Sequence, residues 1–122
     1  MTLVSVRNLT REQVLADRCE VARSFLARGR GLIGRGALAA GEGLLIVPCS
    51  SVHSFFMRFP IDVVFVDRHD RVVGLSEAMP PNRPYAGAWS ARYVVELPSG
   101  TIAATGTRVG DVLRVEEAHT RP

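Results

Sequence analysis

Five side chains able to hold an ion or move a proton fall within one short stretch of this chain: Cys49, His53, Met57, Arg58 and Asp62. Cys49, His53 and Met57 recur every four residues, and all are soft or borderline metal ligands. Their spacing argues against a shared ion. On an extended strand, positions four apart are ~13 Å apart, whereas two ligands of one metal must converge to within ~4 Å. No metal and no cofactor are therefore expected, and Met57 is read as packing beside the site. A hydrolase would need a nucleophile, a base and an orienting acid; Ser51 or Cys49 with His53 and Asp62 supplies the types, but no G-x-S-x-G elbow is present. A guanidinium, a carboxylate and an imidazole around one bend suit a small polar or anionic ligand, carbohydrate included.

The elements that must position these groups can be read from the same stretch. If residues 52–58 form an extended strand, His53, Phe55 and Met57 point to one face and Ser54, Phe56 and Arg58 to the other. Phe59-Pro60 then interrupts the ladder, because proline has no backbone donor and restricts its predecessor. Asp62 falls at the mouth of the next strand, Val63 to Val66, where Arg58 can pair with it across the bend. The segment from Ala78 to Ala91 has no period and is rich in proline, so it reads as a long loop, a feature usually functional or mobile. It carries Asn82, Arg83, Tyr85 and the single tryptophan, Trp89. The expected ligand-binding set is His53, Met57, Arg58, Asp62, Arg83 and Trp89. Glu96, an acid within an apolar strand, is expected to point outward from a half-exposed position.

Strand-type runs recur at Leu3 to Arg7, Val14 to Val21, Leu44 to Val47, Val52 to Arg58, Val63 to Val66, Val72 to Leu75, Tyr93 to Leu97 and Val112 to Val115. Such short strands, divided by glycine, proline and aspartate, predict a mainly β fold, a compact sandwich or barrel-like domain. Asp67-Arg68-His69-Asp70 reads as a hairpin turn, since aspartates bond their own backbone. Ser24 before Phe25, Leu26 and Ala27 predicts a short capped helix, and Ser99 before Gly100 a second capped turn.

With 122 residues the chain predicts one domain spanning 1–122 with one core. Hydrophobic residues make up 47% and charged residues 22%, and no run approaches the ~20 apolar residues of a membrane span. A soluble protein without a membrane partner follows. The N-terminus lacks a basic leader followed by an apolar run, so a cytoplasmic location is expected, with Cys19 and Cys49 as free thiols. All fifteen basic residues are arginine, for a net charge of +3. Arg28, Arg30 and Arg35 form a local group, but Leu32 and Ile33 interrupt it as core-type residues, so no nucleic-acid partner is expected.

Taken in order, several segments resemble the domain of unknown function 192 family of prokaryotes. They are Arg28 with Gly31-Leu32-Ile33-Gly34-Arg35, Gly43-Leu44-Leu45-Ile46, Phe55-Phe56-Met57-Arg58 with Ile61-Asp62-Val63-Val64-Phe65-Val66-Asp67, Val95-Glu96-Leu97 with Gly100, and Val109-Gly110-Asp111. The resemblance implies a compact, mainly β domain similar to jelly-roll sandwiches. The chain departs from the family pattern at Ile33, where methionine is usual, at Phe56, where tryptophan is usual, and at Arg58-Phe59-Pro60. Three readings of function follow. The first is a binding module whose pocket joins His53, Arg58 and Asp62 to the 80–89 loop. The second is an enzyme using Asp62 or His53 as acid or base. The third is a protein-interaction accessory of a secretion or surface-appendage system, with Trp89 on its contact edge.

Overall fold

The computed structural model describes residues 3–24, 27–28, 32, 35–54, 57–83 and 85–118. Strands β1 (Leu3–Asn8), β2 (Gln13–Ala22), β3 (Glu42–Ile46), β5 (Ile61–Val66), β6 (Val72–Met79), β8 (Tyr93–Pro98) and β9 (Leu113–Glu117) form one seven-stranded sheet of order β6-β5-β8-β3-β2-β1-β9. A small ribbon pairs β4 (Ser51–Val52) with β7 (Ala86–Gly87), and a single-turn helix α1 (Thr101–Thr105) precedes β9. The mainly β reading holds.

The sheet curls so that its edge strands meet at one end. Arg71 bridges Val112, and the N–H groups of Leu113 and Val72 donate to the Asp70 and Asp111 carbonyls, each at 2.8 Å. The result is a half-barrel. Inside it lie Val6, Leu45, Val64, Val66, Tyr93, Val95, Leu97 and Leu113, drawn from alternate positions of the strands. The intervening residues Leu44, Ile46, Val63, Phe65 and Val94 face outward, yet they are buried too. Leu32 and Met57 cover them, with Leu38, Cys49, Val52 and Phe59 packed around. Packing on both sides explains why every residue of β5 is buried, and why that strand reads as a continuous apolar run.

The cover exists because of one topological fact. β2 and β3 are parallel, and a parallel pair requires a long crossover. Among the described residues of the crossover, Leu32 is buried in the outer cluster at 2% exposure, with Ala27 and Leu38 packed against it. Ser24 opens a helical turn there, its hydroxyl accepting from the Ala27 N–H at 3.1 Å and its carbonyl from the Arg28 N–H at 2.9 Å. Phe25, Leu26 and Ile33, which the sequence reading used, lie outside the described residues.

Asp67 organises the β5–β6 hairpin as expected: its Oδ1 accepts from the N–H groups of His69 (2.8 Å) and Arg71 (3.0 Å). Three expectations are corrected. The strand proposed for residues 52–58 stops at Val52, because Ser54 trades ladder bonds for bonds to the 80–83 segment. The segment from Ala78 to Ala91 is not one irregular loop, since β6 runs to Met79 and Ala86–Gly87 pairs with Ser51–Val52. Ser99 makes no cap; Gly100 is the N-cap of α1, in a left-handed conformation (φ 97°) that glycine tolerates.

Candidate functional site

Asp62 sits on the inner face of β5 with no exposure. Its Oδ1 accepts from the Ala78 N–H at 2.8 Å, and its Oδ2 accepts from the N–H groups of Gly100 (3.1 Å) and Ile102 (2.8 Å). Each donor has a local cause. The register between β5 and β6 slips between Ile61 and Val63, and Ala78, with φ of 47°, turns its N–H out of the ladder. The first N–H groups of α1 have no intrahelical acceptor. One carboxylate thus ties a bulge and a helix start to the barrel interior. Asp62 lies inside the strand rather than at an open mouth, and the expected ion pair with Arg58 is absent: among the described residues its carboxylate partners are all backbone donors, and Arg58 is exposed.

The remaining expected site residues divide by burial. His53, Arg58, Arg83 and Trp89 are exposed, Trp89 at 93%, while Met57 is buried at 8% as part of the outer cluster. The bend and the 80–83 segment do meet, through Ser54. Its N–H donates to the Arg83 carbonyl (2.9 Å), its carbonyl accepts from the Asn82 N–H (2.7 Å), and its hydroxyl bonds Pro80 O and the Arg83 N–H. Phe55, Phe56 and Pro84, which flank this junction, lie outside the described residues.

Beside the junction, the chain between β3 and β4 opens a cleft of about 410 Å³, lined by Arg28, Pro48, Cys49, Ser50, Ser51, Ala91 and Arg92. Backbone bonds hold its two sides together: Cys49 N–H to Arg92 O and Arg92 N–H to Val66 O, at 2.9 and 2.7 Å. The turn carrying Trp89 borders it, since the Ala88 N–H donates to the Ser50 carbonyl at 3.0 Å. Arg28 donates from Nη1 to the Pro48 carbonyl at 3.1 Å, but its Nε is buried without a partner among the described residues. An unmade hydrogen bond of a buried donor costs ~1–3 kcal/mol, more when the group is charged.

Glu96 is the second unmatched charge. The expectation of a half-exposed outward position is half right: it faces away from the barrel, between its register partners Leu44 and Val63, but the cover leaves it only 4% exposed. Among the described residues its carboxylate has no hydrogen bond or ion pair. Burial pushes Glu96 up to about 7. Cys49 feels both unmatched groups: burial lifts its thiol, Glu96 lifts it further, and Arg28 opposes. A thiol so raised is a poor nucleophile at neutral pH.

A third polar cluster was not anticipated by the sequence reading. Buried Asp111 Oδ2 accepts from Asn8 Nδ2 (2.9 Å), Arg11 Nε (3.0 Å) and the Arg108 N–H (2.9 Å), and Asn8 also donates to Thr107 Oγ1 at 3.1 Å. Burial alone would raise the Asp111 carboxyl, but these bonds outweigh it and hold it below the usual range. Its members come from both ends of the chain, so no local spacing could reveal it. A second cleft, about 420 Å³ between β2, Gly41 and α1, has mainly apolar walls.

A curled, mainly β half-barrel with a covered outer face and a polar cleft at the edge of the cover defines the class of this domain. The chain belongs to the DUF192 family, described as "Uncharacterized ACR", whose model matches residues 6–115. It is 34% identical to a UPF0127 protein of Thermococcus sibiricus over 90% of this chain and 75% of that one. It is 33% identical to a UPF0127 protein of Pyrococcus furiosus over 87% of this chain and 93% of that one. Among solved structures, a protein of unknown function from Novosphingobium aromaticivorans superposes with a TM-score of 0.80 at 25% identity, over 92% of this chain and 83% of that one. A Sinorhizobium meliloti protein shares the fold at a TM-score of 0.81 and 21% identity, over 93% and 92%. No helix among the described residues is long and apolar enough to cross a membrane.

Proposed function

We propose that this domain is a binding module for a small anionic ligand, received in the cleft of Arg28, Cys49, Ser50, Ser51 and Arg92. The observation that carries the reading is the buried Arg28 Nε beside that cleft, without a partner among the described residues. A carboxylate or phosphate would supply the missing acceptor in a charge-assisted bond, and the guanidinium fork suits both groups. Arg92 adds a second cation, and the hydroxyls of Ser50 and Ser51 add neutral donors. In this reading Trp89 stands at the rim of the cleft, His53, Arg58 and Arg83 remain exposed outside its lining, Met57 belongs to the packed cover, and Asp62 holds the barrel interior. Two free thiols, Cys19 and Cys49, suit a reducing compartment such as the cytoplasm.

The alternatives draw less support. An enzyme using Asp62 as base would have to free a carboxylate engaged by three backbone N–H groups. A protein-contact role would rest on the exposure of Trp89 and Tyr85, 93% and 63%. The test is a thermal-shift and calorimetric screen of short carboxylates and phosphates against the wild type and Arg28→Gln. A ligand at a hundred times its dissociation constant stabilises by ~2.7 kcal/mol. Stabilisation by anions that vanishes in Arg28→Gln is expected; a flat response of folded wild type to both anion classes refutes the reading.

A further inference from the structure

The β4–β7 ribbon that borders the cleft has two faces of opposite character. Ala86, Ala88 and Val52 pack against the outer cluster, so strand alternation puts Tyr85 and Gly87 on the other side. Ser51 is the register partner of Gly87, and directly opposed residues of an antiparallel pair share a face. The cleft-lining Ser51 therefore stands on the same outer face as Tyr85, with only a residue lacking a side chain between them. That space is taken by the tyrosine. A Cβ placed on Gly87 would lie 2.6 Å from Tyr85 Oη, 2.9 Å from its Cζ and 2.9 Å from the carbonyl oxygen of Ser50, another lining residue. The phenol thus lies back along the ribbon, its hydroxyl end beside the cleft, and the residue is 63% exposed. Trp89 continues this edge: the Ala88 N–H donates to Ser50 and the Ala91 N–H to Ala88, which closes a turn that holds Trp89, at 93% exposure, next to the lining residue Ala91. Tyr85 and Trp89 are the exposed aromatic residues among those described, and both fall at this one place.

Resting on the anion-binding reading above, we infer that the anion carries a flat ring: the ligand is an aryl phosphate or aryl carboxylate. Its charged group is received by Arg28 and Arg92, and its ring stacks against Tyr85 and Trp89. The reach is short, because diagonal neighbours across an antiparallel pair, as Ser51 and Tyr85 are, stand ~7–8 Å apart. Aromatic faces reward a ring beyond the area that it covers, whereas an alkyl chain gains from area alone. A sugar ring fits less well, since this face offers it the hydroxyls of Ser51 and Tyr85 and carbon otherwise, and polar groups desolvated without partners oppose binding.

The experiment compares phenyl phosphate with methyl phosphate, benzoate with acetate, and glucose 6-phosphate with both phosphates, by calorimetry on the wild type, Arg28→Gln and the Tyr85→Ala/Trp89→Ala double variant. Both aromatic positions are exposed, and unchanged circular dichroism verifies folding. Within each anion class that binds, the ring compound is expected to bind at least tenfold more tightly than the small anion. The double variant should erase this advantage and leave the small anion unaffected, while Arg28→Gln weakens every ligand. Trp89 is the single tryptophan, so its fluorescence should change with the ring compounds and stay constant with methyl phosphate and acetate. Equal affinities within a pair that binds, a ring advantage that survives the double variant, or a bound ring that leaves the fluorescence unmoved overturns the ring inference and leaves the anion site standing. Glucose 6-phosphate bound as tightly as phenyl phosphate overturns the aromatic class. No binding of any of these anions to folded wild type overturns this inference and the anion reading together.

Discussion

Asp62 and Glu96 stand on adjacent strands, one register step apart, on opposite faces of the same sheet: Asp62 pairs with Leu97, and Val63 with Glu96. Both are nearly excluded from solvent, at 0% and 4% exposure. The inward acid collects three backbone donors, because a β-bulge and a helix start deliver their spare N–H groups to it. The outward acid collects none among the described residues, its register partners Leu44 and Val63 being aliphatic. A buried charge whose bonds are complete stabilises a fold; one whose bonds are missing weakens it.

The largest test of this contrast is Asp62→Ala, which leaves the Ala78, Gly100 and Ile102 N–H groups without their acceptor. At ~1–3 kcal/mol per buried unsatisfied donor, a loss of roughly 3–6 kcal/mol is expected in urea denaturation. That is a large part of the ~5–15 kcal/mol typical of a domain. A loss below ~1 kcal/mol would show that water replaces the carboxylate and that the interior is more open than described.

Asp111→Asn should come next, costing roughly 2–4 kcal/mol, since it removes the charge that Arg11 and Asn8 address. The bonds that depress its carboxyl contribute stability that is complete above the ordinary aspartate value and is lost as pH falls through the lower folded one. Denaturation curves from pH 6 down to pH 2 should therefore steepen for the wild type relative to the variant.

Glu96 predicts the opposite sign. Its folded value is raised from 4.5 to about 7, so between these values the unfolded chain sheds a proton that the folded one keeps. Stability must fall as pH rises through that window and level off above it, by roughly 3 kcal/mol at most. Glu96→Gln should flatten this slope and make the protein more stable than wild type at pH 8; an unchanged slope would mean that the carboxyl reaches a donor after all. The smallest effect belongs to Trp89→Ala. At 93% exposure it should shift stability within ±0.5 kcal/mol, so any effect on ligand affinity would report contact at the cleft's rim.

Much of the fold was legible because strands announce themselves locally. Leu3 to Arg7, Tyr93 to Leu97 and the Asp67 turn lie within a residue or two of where alternation and turn chemistry put them. The bend misled because Ser54 forms its bonds with residues 80–83, and a partner almost thirty positions away leaves no mark on local spacing. The composition of their segment marks Arg83 and Trp89, whereas nothing in local spacing marks Arg28 and Glu96.

The sequence by itself determined that this chain is mainly β, where most of its long strands run, and where the β5–β6 hairpin turns, since those follow from side-chain alternation and backbone preference. Tertiary structure alone decided which acid is structural and which is unmatched. Both sit in apolar strand contexts, and the difference arises only when β5 and β8 pair, the bulge at Ala78 and the start of α1 turn inward, and the outer cluster packs against the other face. The physical reason is that solvation and hydrogen-bond supply belong to a position in space, and alternation along a strand cannot tell an inner face from a covered outer one.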